Sequence, residues 1–166
     1  VDFEGAHLAG SINIGLKGDF APWVGTLITD IAQPIVLVCE EGSEQEAITR
    51  LSRVGYDNTI GYLDGGFEAW KAAGKEVDTV ARISAEEFAK RYGAKPIVFD
   101  VRKKSEFDSE HVEGAINTPL NRINDHLAEF PKDNPFILHG AGGYRSKIAA
   151  SILKARVLDN LGDVQG

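Results

Sequence analysis

His111-Val112-Glu113-Gly114-Ala115-Ile116-Asn117-Thr118-Pro119-Leu120 repeats a stretch found 104 residues earlier, His7-Leu8-Ala9-Gly10-Ser11-Ile12-Asn13-Ile14-Gly15-Leu16. His, Gly, Ile, Asn and Leu stand at the same places in both. Phe3-Glu4 precedes the first stretch and Glu106-Phe107 the second, and Asp57-Asn58 returns as Asp159-Asn160, 102 residues on. A repeat of about 100 residues is too long for a solenoid unit and has the size of a small domain. The chain therefore reads as two copies of one unit, over residues 1–80 and 81–166. The copies are out of phase with the chain ends. Before its His stretch the second copy has Arg82 to Glu110, where the first has only Val1 to Ala6. After Asp57-Asn58 the first copy continues through Gly65-Gly66-Phe67-Glu68-Ala69-Trp70, where the second stops at Gly166.

The second copy shows the elements most clearly. Ser84-Ala85-Glu86-Glu87 has the pattern of a capping box, with Ser84 at the N-cap and Glu87 at N3. Phe88 and Tyr92 then share one helix face, and Gly93 closes the helix. Pro96-Ile97-Val98-Phe99-Asp100-Val101 is nearly all apolar, as a strand buried on both faces of a parallel sheet must be. Pro135-Phe136-Ile137-Leu138-His139 is a second run of this kind. It leads into a glycine-rich loop and a helix that aligns Ile148, Ala149, Ile152 and Leu153. The first copy repeats the order: a strand over Pro34–Val38, a loop over Cys39–Ser43, and a helix with Ala47, Ile48, Leu51 and Val54 that ends at Gly55. Strand–helix alternation predicts an α/β unit built on a mainly parallel sheet flanked by helices. Lys75 to Ala81 is short and polar and reads as a linker between the copies.

Composition narrows the function classes. The 166 residues are 43% hydrophobic and 26% charged, which suits a soluble globular chain with a real core. No apolar run approaches the ~20 residues needed to span a bilayer, so no membrane partner is expected. No basic stretch leads into an apolar one as in a secretory signal. Net charge is −7 with basic residues scattered, which argues against nucleic acid as a partner. The single cysteine, Cys39, leaves no internal disulfide and no multi-cysteine metal site, and a reducing cytoplasm is the expected location. The chain opens on Val1 and contains no Met, so a fragment or processed product is expected.

A buried strand that runs into a tight loop and then a helix is suited to chemistry. The first turn of the helix offers unpaired N–H groups and a partial positive charge. Loop amides can form an anion cradle, and a cysteine at the loop's start would have its thiolate stabilised. On these blocks the sequence resembles the rhodanese family of sulfurtransferases. The matching parts of the second copy are Asp100-Val101-Arg102, Phe107, His111-x-x-Gly114-Ala115-Ile116-Asn117 and the loop Gly140–Ser146. Those of the first are Phe3, His7-x-x-Gly10-Ser11-Ile12-Asn13 and Leu63-Asp64-Gly65-Gly66-Phe67-x-x-Trp70. The resemblance covers essentially the whole chain. It implies two rhodanese-like α/β units, the first truncated at its start and degenerate, the second truncated at its end. It implies sulfane sulfur transfer through a loop cysteine, with thiosulfate or persulfides as partners and no cofactor. The domain order also resembles bacterial proteins in which a metallo-β-lactamase-fold enzyme precedes a degenerate and then an intact rhodanese domain, so an upstream catalytic domain is a further expected partner. No His-rich metal cluster occurs in this chain, and no metal is expected.

The departures from the family loop, C-x-x-G-x-R-S, carry as much as the matches. Gly143, Arg145 and Ser146 fit it, but Gly140 stands where the nucleophile belongs and has no side chain to attack sulfur. What remains is a loop, Ala141, Gly142, Gly143, Tyr144, Arg145 and Ser146, expected to bind small anions without turnover. In the first copy, aligning Gly42 with Gly143 puts Cys39 at the nucleophile position. Glu44 and Gln45 then replace Arg and Ser, with Glu40 and Glu41 nearby, and like charges raise a thiol's pKa and repel anions. Cys39 reads either as a buried structural thiol or as one open to persulfidation. The same acidic run also suits the start of a helix.

Other residues admit plainer readings. Asp100 and Arg102 suit an internal ion pair that shapes the loop better than substrate contact. His7 and His111 suit structural roles, while His139 adjoins the loop. Arg145 is either a ligand of the anion or a solvated helix-end charge. Trp23 and Trp70 suit packing. Phosphatase-like chemistry would need a Cys and an Arg in one loop, and neither loop has both. Because the second copy lacks a counterpart of Phe67–Trp70, exposed apolar surface and a homodimer are expected there.

Overall fold

The computed structural model describes residues 2–156 and 158–165, so Val1 and Gly166, the outer ends of the two spans read from sequence, lie outside it. The chain forms two compact units. The first comprises Asp2, residues 6–9 and residues 14–78. The second comprises Phe3–Gly5, Gly10–Asn13 and the chain from Thr79 on.

The first unit runs β1 (His7–Leu8), α1 (Phe20–Leu27), β2 (Ile35–Leu37), α2 (Glu44–Ser52), β3 (Thr59–Tyr62), α3 (Gly66–Ala72) and β4 (Val77–Asp78). β2 and β3 pair in parallel, Ile35 beside Thr59 and Leu37 beside Tyr62. β1 and β4 pair antiparallel, His7 beside Asp78. The apolar stripe of α2 drives the packing: Leu51 meets Phe20, Val24 and Tyr56, with Ile35, Leu37 and Val54 around them. The acidic start of this helix is as expected, with Glu44 and Glu46 in its first turn and Arg50 in its last. The segment Lys75–Ala81, in which the first unit ends and the second resumes, is ordered. β4 lies within Lys75–Ala81, and Val80 is buried. Its two valines, Val77 and Val80, are three apart and give no strand periodicity among the charged residues around them. Trp70 is half-buried and donates from Nε1 to the Glu76 carbonyl at 2.7 Å.

The second unit contains β5 (Ala81–Ser84), α4 (Ala85–Tyr92), β6 (Ile97–Asp100), α5 (Lys104–Ser109), β7 (Ile116–Asn117), β8 (Phe136–His139), α6 (Tyr144–Ala155) and β9 (Leu161–Gln165). Short 3-10 turns cover 120–125, 127–129 and 141–143. All five strands are parallel, in the order β5-β9-β8-β6-β7. Strands β6 and β8 lie inside the sheet, which is why both sequences are apolar throughout. Phe99, Phe136 and Leu138 are essentially inaccessible, and the rings of Phe99 and Phe136 meet edge-on at 5.4 Å. Ile148, Ala149, Ile152 and Leu153 of α6 are buried as their spacing requires. Ser84 caps α4, accepting from the Glu87 amide at 3.1 Å, while the Glu87 carboxylate pairs with Arg91.

The repeat is visible in matching contacts. Asn58 Nδ2 donates to the Ala32 carbonyl at 2.8 Å, and Asn160 Nδ2 to the Pro131 carbonyl at 2.9 Å. The Asn58 carbonyl accepts from the Ile35 amide at the start of β2, and the Asn160 carbonyl accepts from Phe136 at the start of β8. Exposed apolar side chains occur in both units, with Ile116 44% and Tyr92 36% exposed in the second. Val36, Ile60 and Tyr62, in β2 and β3 of the first unit, are 60%, 64% and 52% exposed. The second unit closes five strands around its core, whereas β2 and β3 form a sheet of two.

Candidate active site

Strand β8 delivers His139 and Gly140 to the edge of the core, the chain turns through Ala141–Gly143, and α6 begins at Tyr144. Gly143 has φ 73°, and Gly42, aligned with it from sequence, has φ 87°. Both take the left-handed region that favours glycine, but Gly142 is left-handed as well (φ 63°) where its counterpart Glu41 is not, so the loops share only that turn. Gly140, by contrast, has extended backbone that any residue adopts. A Cβ built on it would lie 3.2 Å from the Ser146 amide nitrogen, 3.3 Å from the Ser146 Cβ and 3.4 Å from Val101 Cγ2. A side chain at 140 therefore points to the first turn of α6. An anionic atom there meets amides that have no acceptor inside the helix and the positive end of its dipole.

The side chains around the loop form a connected ion-pair network. Asp100 ends β6 fully buried. It accepts from Arg102 Nε at 3.0 Å, from Arg102 Nη2 at 2.6 Å and from the Arg102 amide at 2.9 Å. His139 Nδ1 lies 3.7 Å away. Burial alone would raise the Asp100 pKa, but His139 and Arg102 outweigh it and hold the carboxyl well below the usual carboxylate range. Arg102 also donates to the Glu110 carbonyl at 2.7 Å. Asn117 Nδ2 reaches the carbonyls of Asp100 and Arg102, each at 3.0 Å, so the repeated Asn fastens β7 to the end of β6. The ring of His111 stacks on Phe107 and its Nδ1 meets the Phe107 carbonyl at 2.7 Å.

Arg145 makes an ion pair that neither sequence reading includes. Its two terminal nitrogens lie 2.5 and 2.8 Å from Glu106, which sits in the first turn of α5. Arg145 draws the Glu106 pKa down to about 2. The guanidinium is thus a bidentate strut between α5 and α6. Glu106 and Arg145 lie 39 residues apart, so no local pattern joins them; the signal in the sequence is an acid at N3 of a helix beside the Asp100-Val101-Arg102 block. Ala141 and Gly142 are exposed, Tyr144 is half-buried, and Ser146 is buried with its hydroxyl donating to the Gly143 carbonyl at 3.3 Å.

In the first unit Cys39 follows β2 and is half-buried. Its pKa is raised first by burial and then by Glu44. Desolvation, more than the acidic loop, disfavours this thiolate. Gly66, of the Leu63–Trp70 block, sits against it: a Cβ on Gly66 would come 2.6 Å from the Cys39 carbonyl oxygen, and its φ is 60°. Among the described residues no group of three or more His, Cys, Asp or Glu side chains is placed to hold a metal ion, and no helix is long and apolar enough to cross a membrane.

The rhodanese-like domain family model matches the chain twice, over residues 1–73 and 84–165. The chain belongs to the rhodanese-like domain family. The thiosulfate sulfurtransferase GlpE of Shewanella oneidensis is 36% identical over 72 residues, 43% of this chain and 67% of that protein. An HTH-type transcriptional regulator of Mycobacterium tuberculosis is 32% identical over 71 residues, 43% of this chain. The chain spans 30% of that regulator's length. Among solved structures, the thiosulfate sulfurtransferase of Pseudomonas aeruginosa covers 99% of this chain at 22% identity and a TM-score of 0.46, the match spanning 35% of that protein. Each of the two family-model matches contains one copy of the 104-residue repeat.

Proposed function

We propose that the second unit is a rhodanese sulfurtransferase site without its nucleophile, which binds small sulfur anions such as thiosulfate and does not turn them over. The observation that carries this reading is the direction of residue 140. Its Cβ vector leads to the Ser146 amide at the start of α6, where a thiolate would be stabilised. With cysteine at 140, the thiolate attacks the outer sulfur of thiosulfate, the S–S bond breaks, sulfite leaves and a persulfide remains. Cyanide then takes the outer sulfur as thiocyanate and returns the thiolate. Asp100, Arg102, Glu106 and Arg145 hold the loop in shape, and its backbone amides supply the cradle. The similarity to a protein named thiosulfate sulfurtransferase supports the same chemistry.

Thiosulfate-to-cyanide transfer tests it. The chain as it stands is expected to be inactive and Gly140→Cys active. Activity in the unaltered chain that is abolished by Cys39→Ser would place the chemistry in the first unit and overturn the reading. A second reading, a non-catalytic anion- or partner-binding module of a larger protein, is favoured by the match to a regulator three times the matched length. A metallo-β-lactamase-fold enzyme is a candidate for the rest of such a protein, and the cytoplasm its location. A Gly140→Cys variant that folds, binds thiosulfate and forms no persulfide favours this second reading.

A further inference from the structure

Two carboxyl groups are buried in the second unit away from the ion-pair network of the loop. Asp163 of β9 is fully buried, and Glu4 is 1% exposed. Gln165 Nε2 donates to Glu4 Oε1 at 2.8 Å and to Asp163 Oδ2 at 3.4 Å, so the two acids flank one amide. Both cations of the cluster favour Glu4: Lys147 Nζ lies 3.2 Å and Arg82 Nε 3.5 Å from its Oε2. Arg82, on β5, is the register neighbour of Asp163, and Leu138 is its neighbour on β8. α6 contributes Lys147 and the Ser146 hydroxyl, while Phe88 of α4 packs on Ile83, Ile137 and Val164, the face of β9 opposite to Asp163. Asp163 Oδ1 is buried with no donor aimed at it. A buried carboxylate oxygen left so is costly, whereas a protonated one is itself a donor that needs an acceptor.

We propose that Asp163 holds a proton and donates it to the Glu4 carboxylate, and that this hydrogen bond is a proton-operated clasp fastening Phe3–Gly5 to β9 and the first turn of α6. Burial, and then Glu4 beside it, push the Asp163 pKa up to about 8, outweighing the Ser146 hydroxyl and the Lys147 charge, which pull it down. The raised value fixes the sign. The stability Asp163 contributes is complete below its ordinary 3.8 and is lost as pH rises through about 8. Once both acids are ionised they repel in a site of low dielectric, and the clasp opens. Glu4 then leaves Lys147, next to Ser146 of the loop, so the clasp makes the loop end of the unit sensitive to alkali.

The Val80 amide donates to the Glu4 carbonyl at 2.9 Å, so its hydrogen exchange reports whether the segment is fastened. Carboxyl-carbon NMR of the whole chain is expected to show Asp163 titrating near pH 8. Glu4→Gln is expected to lower that midpoint by about one unit or more, as loss of an adjacent like charge does. Protection of Val80, corrected for intrinsic exchange, is expected to fall about tenfold or more from about pH 6 to about pH 9, and to hold in Asp163→Asn. If Asp163→Asn does not fold, Glu4→Gln carries the exchange test. An Asp163 midpoint below about pH 5, a midpoint unmoved by Glu4→Gln, or Val80 protection independent of pH overturns the clasp.

Discussion

At the scale of single residues, Asp100 and Arg102 were identifiable from sequence because a charged pair closing an apolar strand has few places to go except each other. Asp100 is fully buried with Arg102 as its main partner. Replacing it with Asn leaves a largely buried guanidinium poorly paired, and about 3 kcal/mol of stability is expected to be lost on urea unfolding. The pH dependence has the opposite sign to that of Asp163. A depressed carboxyl contributes stability that is complete above its ordinary 3.8 and is lost as pH falls through its lower folded value. The melting temperature of the unaltered chain should therefore drop as pH is lowered below about 4, and that of Asp100→Asn should drop less. The bond between Arg145 and Glu106 is less buried, with 17% and 35% of the side chains exposed. Glu106→Gln is expected to cost only about 1 kcal/mol. No local pattern announced this pair, because it joins the starts of two helices that only the folded sheet brings together.

At the scale of elements, helix α4 was legible down to its cap, since capping depends on residues three apart. Ser84→Ala is expected to cost about 1 kcal/mol, measured by chemical denaturation. Helix α6 and strand β3 make a sharper contrast. Leu153 is completely buried, whereas Ile60 is 64% exposed. Leu153→Ala should cost about 2–5 kcal/mol, while Ile60→Thr should change stability by less than about 0.5 kcal/mol. Equal losses would mean that the face carrying Ile60 is covered in solution. Strand β4 was missed because a two-residue strand among Lys75, Glu76 and Asp78 has no periodicity of its own. It exists through its partner β1.

At the scale of the whole molecule, the sequence alone determined the duplication, the α/β class, the parallel strands and the glycine-rich loop that opens at Gly140. These are properties of local pattern: apolar runs, caps, glycines that need positive φ, and a motif returning at a fixed distance. The tertiary structure alone decided which charges meet. Glu4 and Asp163 lie 159 residues apart in the chain and share one amide of Gln165; Glu106 and Arg145 come together across two helices. It also decided that Val36, Ile60 and Tyr62 of the first unit stand exposed. The physical reason is the same in each case. Periodicity and capping are settled within a few residues of chain, whereas the burial of a charge and the covering of a sheet depend on what distant segments bring to it.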